Sequence, residues 1–480
     1  NSKQGLTKAS FRAAILLTAV SKMALVVRSV FRHTKLQGGF SMKPDAVKQA
    51  LNGTIQAMTD CKWLFSTRPG KDNTRNRKFP FQKVISSILA FRGGTLNQEI
   101  MDFFGLDPSI GTSSAFIQRR AKILPEAFDC LFQHFTAKVD EDSRYRGLRL
   151  LAVDGSDLQI AANPNGPDSY FPGANGQKAY NLLHINAMYD LLQCIYLDAI
   201  LQKRRNWNES KALTDMVDRS NIEKVLLLAD RGYESYNNLA HIQEKGWFFL
   251  VRIKDNTTGI ASGLNLPDMM EYDIPFHLNL TRKQTISAKQ LCKDRNHYKF
   301  LPSNVHFDYL PLTSRKHDPA VFYTLHFRIV RFPISDTTCE TIITNLDSDL
   351  FPLADIERLY AMRWGIETSF RALKHTLGLL HLHAKKVEFV HQEVFAKLTM
   401  YNFCEMITRS VVIQQNQRKY AYKVNFSDAV HISLQFFLGA VPPPILEAML
   451  MKYISPIRPG RKDTRKLTQK PSVSFTYRVA

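Results

Sequence analysis

The sequence predicts an α/β core flanked on both sides by helical segments, with a β-rich stretch set into the core. Three observations lead there. Residues 148–153, apart from Arg149, and 225–229 are short apolar runs, as strands covered on both faces require, and each runs into an aspartate. On either side, from Phe81 to Ile123 and from Pro352 to about Met451, apolar residues recur at helical spacing. From residue 256 to about 345 that period gives way to short alternating pieces such as residues 321–330, broken by Pro and Asn.

Taken in order, residues 1–43 are a basic, apolar extension ending near the Gly38–Gly39 pair. Within it, residues 13–27 resemble a membrane segment, but Lys22 leaves an uncharged run about half of the ~20 residues a span needs. A short signal-peptide core behind Lys3, Lys8 and Arg12 is the other reading of that stretch. Residues 44–144 read as a helical DNA-binding domain with a basic loop at 66–78. Phe81, Val84, Ile85, Ile88 and Leu89 mark one helix, Gly93–Gly94 stops it, and 96–104 reads as a second. Thr112-Ser113-Ser114 offers an N-cap for a third over 115–123, which carries Arg119, Arg120 and Lys122. A helix-turn-helix-like module would set those three cations against DNA. An ordinary bundle with a solvated basic face fits the pattern equally.

Residues 145–255 form the first part of the core: strand at 148–153, further strands within 185–200, strand at 225–229, helix at 235–244 closed by Gly246, then strand at 247–253. Residues 256–345 are the β-rich insertion and 346–400 the second part of the core. Residues 401–480 are a helical region with a basic tail, in which 458–478 hold seven Lys or Arg and one Asp. That tail suits phosphate contact, with a merely solvated tail as the alternative.

Composition narrows the class of partner. Lys and Arg number 64 against 43 Asp and Glu, a net charge of +21 over 480 residues, which points to a polyanion. Hydrophobic residues at 44% and charged ones at 22% exclude a disordered chain or a fibre. The six cysteines are far apart with no CxxC pair, so they read as reduced thiols rather than a disulfide framework or zinc ribbon.

The residues suited to chemistry are carboxylates. Asp154 and Asp230 each stand where a buried strand is expected to stop, on a rigid element beside a cleft. Two such groups repel unless a cation lies between them, and Mg²⁺ accepts a few carboxylates plus substrate phosphate. Alone, an aspartate at a strand end is more often a turn residue. Tyr360, Arg363, Glu367 and Lys374 add a second pattern, at offsets of 0, 3, 7 and 14. On a continuous helix they share a stripe about 60° wide and about 21 Å long. Cations and a phenol along a carboxylate suit a phosphodiester track, whereas ordinary intrahelical ion pairs are the plain alternative. Gly173–Lys178 lacks the spacing of a nucleotide-binding loop and reads as a turn, while His381, His383 and His391 have no role in oxygen-ligand chemistry.

The string Tyr360-Ala-Met-Arg363-Trp-Gly-Ile-Glu367-Thr-Ser-Phe-Arg-Ala-Leu-Lys374 resembles, in every spacing, the Tyr-Arg-Glu-Lys signature of DDE transposases of the bacterial insertion-sequence-four family. Thr344-Asn-Leu346, residues 379–386, residues 153–158, residues 227–233 and the tail residues 456–461 also look like that family, so the resemblance runs from about Phe79 to the end of the chain. It implies an RNase H-like core interrupted by a β-strand insertion, and the 137 positions from Asp230 to Glu367 leave room for one. It further implies that Asp154, Asp230 and Glu367 are the catalytic, metal-binding triad, with Asp154 chosen over Asp157 because the motif sets the ligand immediately before Gly155. Tyr360, Arg363 and Lys374 would contact the transposon-end backbone. Two Mg²⁺ ions, for which Mn²⁺ can substitute, would serve nicking, a hairpinned end and strand transfer. The implied partners are double-stranded DNA at the transposon ends and target, and a second copy in a synaptic homodimer with residues 395–412 as its interface. A bacterial cytoplasmic, nucleoid-associated protein without membrane contact follows. The insertion-domain Trp of some relatives has no counterpart, since no Trp lies between Trp247 and Trp364. A catalytically silent relic, a plain Mg²⁺-dependent nuclease and a basic structural or membrane-surface binder are the competing readings.

Overall fold

Parallel pairing of two apolar strands sets the centre of the protein. A computed structural model describes residues 42–75, 78–173, 178–254, 259–312, 321–335, 338–411 and 422–456. The signal-peptide reading, the basic tail and most of the 173–178 turn lie outside the described residues. The described residues divide into two compact units, one of residues 42–141 and 388–456, the other of residues 142–387.

In the second unit, among the described residues, ten strands form one sheet in the order β2-β3-β1-β5-β6-β10-β9-β7-β8, with β4 paired to β3. Here β1 is Arg149–Ile160, β2 Tyr170–Phe171, β3 Tyr180–Asp190, β4 Ile195–Lys203, β5 Val225–Ala229, β6 Phe248–Arg252, β7 Tyr272–Thr281, β8 Tyr298–Phe300, β9 Tyr323–Ser335 and β10 Thr338–Thr344. β1, β5 and β6 run parallel where they pair, and the paired stretches Leu150–Val153, Val225–Ala229 and Phe249–Val251 are apolar and buried, as strands covered on both faces require. The β-rich stretch joins the same sheet, since β10 pairs antiparallel with β6.

The strand expected to stop at Asp154 instead continues to Ile160. Residues 151–160 pair one for one with 190–181 of β3, so cross-strand hydrogen bonds carry a polar Asp-Gly-Ser-Asp run that no hydrophobic pattern announces. Helix Tyr236–Glu244 ends at Gly246, whose φ of +70° is the left-handed turn that favours glycine.

The other unit is helical. Its helices include Phe81–Ala90, Leu96–Phe104 with a Thr95–Gln98 capping box, Ser113–Arg120 capped by Thr112, Glu126–Val139 and Val387–Arg409. The last, proposed from sequence as a subunit interface, is a core helix: Val390, Val394, Phe395, Leu398, Tyr401, Phe403 and Ile407 are all buried. Phe395 packs edge-on against Phe132 at 5.9 Å, and Phe403 lies 6.4 Å from Phe135 and 5.9 Å from Phe437. The side chains offered to a second copy are thus consumed by the chain's own core, and residue 412 lies outside the described residues. All six cysteines are free thiols. Among the described residues no helix is long and apolar enough to cross a membrane.

Candidate active site

The register of β1 and β5 decides where the two aspartates meet. Val153 pairs in parallel with Ala229, so Asp154 and Asp230 are the next residues on adjacent strands, about 5 Å apart along the hydrogen-bonding direction. Both continue in extended backbone, so alternation turns their side chains to one face. Asp157, three residues on, falls on the opposite face. There its Oδ1 lies 2.6 Å from His184 Nδ1 and 3.2 Å from Arg204 Nε.

The face carrying Asp154 also carries Tyr189 and Tyr196, and helix Trp364–Arg371 lies on it. Tyr196 and Ser369 share a hydrogen bond of 2.7 Å, and a methyl on Gly365 would come within 2.9 Å of Leu191. Those contacts hold Glu367 over the sheet. The continuous helix expected from Tyr360 to Lys374 is in fact broken. An α-helix, Leu353–Met362, gives way at Arg363 to the second, Trp364–Arg371, and then to a π-turn over Ala372–Thr376. Arg363 keeps right-handed helical angles at the first break (φ −51°, ψ −32°) and reaches Glu367 one turn on, while Lys374 lies in the π-turn beyond the second helix.

Charge ties the pieces together. Burial pushes the Asp154 carboxyl up to about 6; the Gly155 N–H (2.8 Å to Oδ1) and Arg363 oppose this, and Glu367 and Asp230 add to it. Arg363 reaches Glu367 with Nη2 at 2.9 Å from Oε1, and its guanidinium lies 5.5 Å from the Tyr360 ring. Burial works against the Arg363 charge, but Tyr360, Asp230 and Glu367 outweigh it and raise its pKa. Burial likewise pushes the Tyr360 phenol up. Lys374 Nζ donates to the Asp157 carbonyl at 2.8 Å, and burial lowers its pKa despite that neighbouring carboxylate.

Several buried polar atoms here have no hydrogen-bond partner among the described residues: Asp230 Oδ1, the Tyr360 hydroxyl, and Arg363 Nε and Nη1. Such groups are costly when left alone, and functional sites are where they concentrate. A bare carboxylate oxygen at Asp230, beside an Asp154 whose charge burial and two more carboxylates disfavour, fits a hard divalent cation bound through oxygen. Glu367 adds a third carboxylate within electrostatic reach, engaged here by Arg363. Among the described residues no three His, Cys, Asp or Glu side chains converge closely enough to form a finished cage, and His381, His383 and His391 join none.

The cations expected at a DNA-facing third helix, Arg119, Arg120 and Lys122, belong to the helical unit. Arg120 is a correction: only 1% exposed, it pairs with Glu393 at 2.7 Å and donates to Gln392 Oε1 at 2.7 Å and to the Phe389 carbonyl at 2.5 Å. A guanidinium so enclosed is not available to a phosphate. Arg119 donates to the Phe79 carbonyl at 3.2 Å, and Lys122 lies 3.3 Å from Asp72. Sequence reading also passed over His184, Arg204 and Glu209, because nothing local links positions so far apart. The available signal was Gly155 itself, since a glycine inside a strand marks a close neighbour.

Comparison with known proteins follows the same lines. The family profile described as Transposase DDE domain matches residues 145–403. The chain is 23% identical over 402 residues to the transposase InsG for insertion sequence element IS4 of Escherichia coli (strain K12), covering 79% of this chain and 82% of that protein. It is 22% identical over 349 residues to the transposase for insertion sequence element IS231B of Bacillus thuringiensis subsp. berliner, covering 68% and 72%. Among solved structures, the piggyBac transposase synaptic complex with hairpin DNA aligns over 88% of this chain and 87% of that one, at 9% identity and a TM-score of 0.42, an overlap too loose to carry an argument.

Proposed function

Because the chain belongs to the Transposase DDE domain family, we propose that it is a transposase that cuts and rejoins DNA at the terminal inverted repeats of its own insertion sequence, using Asp154, Asp230 and Glu367 as its triad. One observation carries the assignment. The in-register pairing of β1 with β5 sets Asp154 and Asp230 side by side, under the helix that bears Glu367. Asp157 is a poorer first ligand, since it faces the other side and is engaged by His184 and Arg204. The sheet with its flanking helices is an RNase H-like core in this reading.

The three carboxylates would hold divalent metal, Mg²⁺ by the chemistry of an all-oxygen donor set, with Mn²⁺ able to replace it. When bound, such ions supply Lewis-acid activation of water or a 3′-hydroxyl and charge stabilisation for in-line phosphoryl transfer. The remaining work falls to side chains. Arg363 and Tyr360, buried like Arg120 but with donors left unpartnered among the described residues, would donate to scissile-strand phosphate oxygens once DNA binding opens a path to them. Arg363 also restrains Glu367 until DNA competes for the guanidinium. Lys374 contributes a further cation at the Asp157 end of β1. Water nicks the end, and the freed 3′-hydroxyl then attacks the opposite strand to give a hairpin or attacks target DNA, each step being the same displacement. A synaptic homodimer on the two ends completes the reading, acting at the nucleoid.

The test is cleavage of a labelled duplex carrying the element's terminal repeat, in Mg²⁺ or EDTA. Asp154→Ala, Asp230→Ala and Glu367→Ala should each abolish cutting and spare binding, and Lys374→Ala should weaken binding and reduce its salt slope by about one. Retained cutting by Asp230→Ala would sink the triad. Repeat binding without cutting by the unaltered protein would point to a silent relic, and indiscriminate cutting to a plain nuclease.

A further inference from the structure

The face of β1 turned away from the carboxylates carries a buried cluster that the proposed chemistry does not use. His184, on β3 directly opposite Asp157, is only 4% exposed. Its Nδ1 lies 2.6 Å from Asp157 Oδ1 and its Nε2 2.9 Å from Glu209 Oε1. Glu209 opens helix Glu209–Arg219, whose start is fixed by the Asn208 cap and by Gln202, which both accepts from the Asn208 N–H at 3.1 Å and donates to the Asn208 carbonyl at 3.3 Å. Trp207 closes the outer side, with its ring 4.7 Å from the imidazole and the Arg204 guanidinium 3.7 Å above it. The His184 ring is therefore held on three sides, by Asp157, Glu209 and Trp207.

What the clamp presses on is Gly155. A methyl at that position would stand 2.4 Å from His184 Nε2 and 2.8 Å from Glu209 Oε1, so the imidazole occupies the space a side chain would need. On the opposite side of the same residue, the Gly155 N–H donates to Asp154 Oδ1 at 2.8 Å. One residue thus links the clamp to the carboxylate. Lys374 reaches the same stretch through the Asp157 carbonyl, restraining it from its other end.

We infer that His184, held by Asp157 and Glu209, is a positioning residue for Asp154: by packing on Gly155 it fixes the peptide whose N–H sets the carboxylate's orientation toward divalent metal. The inference rests on Asp154 being a metal carboxylate. Groups behind a metal ligand of this kind typically govern affinity by about tenfold to a hundredfold.

The experiment is titration of Mn²⁺ into the full chain without DNA, free Mn²⁺ being read by electron paramagnetic resonance. The proteins are the unaltered chain, Asp154→Asn, His184→Ala and Glu209→Gln. Circular dichroism establishes that each is folded. Loss of affinity in Asp154→Asn and a drop of about tenfold to a hundredfold in His184→Ala are expected, with about tenfold in Glu209→Gln. In cleavage assays the His184→Ala defect should shrink as Mg²⁺ rises, whereas that of Asp154→Asn should not. Should His184→Ala fail to fold, Glu209→Gln decides alone. Normal Mn²⁺ affinity in the clamp variants beside a defective Asp154→Asn overturns the inference and leaves the site reading intact. Equal affinity in the unaltered protein and Asp154→Asn overturns the site reading itself.

Discussion

Replacing Arg120 by Met should unfold the helical unit more easily without removing a DNA contact. The guanidinium is enclosed by Glu393, Gln392, the Phe389 carbonyl and the Phe389 ring, 4.8 Å from its central carbon. Glu393 is itself only 1% exposed, so the substitution strips the guanidinium from a buried carboxylate. Breaking such a pair costs about 3–5 kcal/mol. Lys397, fully buried and within electrostatic reach of Glu393, retains part of the compensation, which favours the lower end, about 3 kcal/mol. For a unit of this size that corresponds to a fall in melting temperature of about 6–12 °C. Scanning calorimetry on the full chain, with DNA binding measured at two salt concentrations below the transition, separates stability from contact. A variant that melts with the unaltered protein yet binds DNA more weakly, with a shallower salt dependence, would refute the reasoning and return Arg120 to the DNA interface.

Two further perturbations probe the site itself. The folded Asp154 pKa of about 6 lies above the ordinary 3.8, so ionisation is disfavoured by folding and the penalty builds as pH rises from about 4 to about 6. Asp154→Asn should therefore be more stable than the unaltered chain at pH 8 in EDTA, by about 2–3 kcal/mol, with the difference gone below about pH 4; denaturant melts with no such pH dependence would contradict it. Tyr360→Phe removes a buried hydroxyl that has no partner, so it should leave stability unchanged or raise it by about 1 kcal/mol while weakening end binding; a clear loss of stability would show that the hydroxyl already bonds within the protein.

What could be read from sequence was what local physics dictates. The apolar spacing of Phe81–Ala90 with the Gly93–Gly94 stop and the Thr112 cap of Ser113–Arg120 identify helices, and the runs at 148–153 and 225–229 identify buried strands. Tertiary facts were out of reach. The polar end of β1 is a strand only because β3 pairs with it, and the helix break at Arg363 precedes a glycine packed against Leu191. Charge misled at Arg120, because a basic side chain reads as solvated until its partner, 273 positions away, is brought beside it. The same limit hid His184 and Glu209, while Asp154 and Asp230 were visible because an apolar run announces its own end.

The arrangement of unsatisfied atoms suggests why this site is built at a cost to stability. Evolution could have matched Asp230 with a donor or left Tyr360 as phenylalanine, and either would lower the energy of the free protein. Instead the buried orphans include both signs, carboxylate oxygen at Asp230 and donors at Arg363 and Tyr360, within one electrostatic neighbourhood. A cation alone would answer the first and aggravate the second; an anion alone would do the reverse. On the proposed reading, metal and phosphate arriving together would satisfy both, the phosphate accepting from the arginine and phenol while the cation offsets the aspartates. On that reading, the free energy left unspent in the folded chain would be released only in a complex of metal and DNA, and the two affinities would be coupled. Mn²⁺ should accordingly bind more tightly in the presence of terminal-repeat DNA than in its absence, and by linkage the DNA more tightly with Mn²⁺. Arg363→Ala should shrink that mutual enhancement, as measured by metal titration with and without the duplex; an undiminished enhancement would break the link between the orphaned donors and the metal.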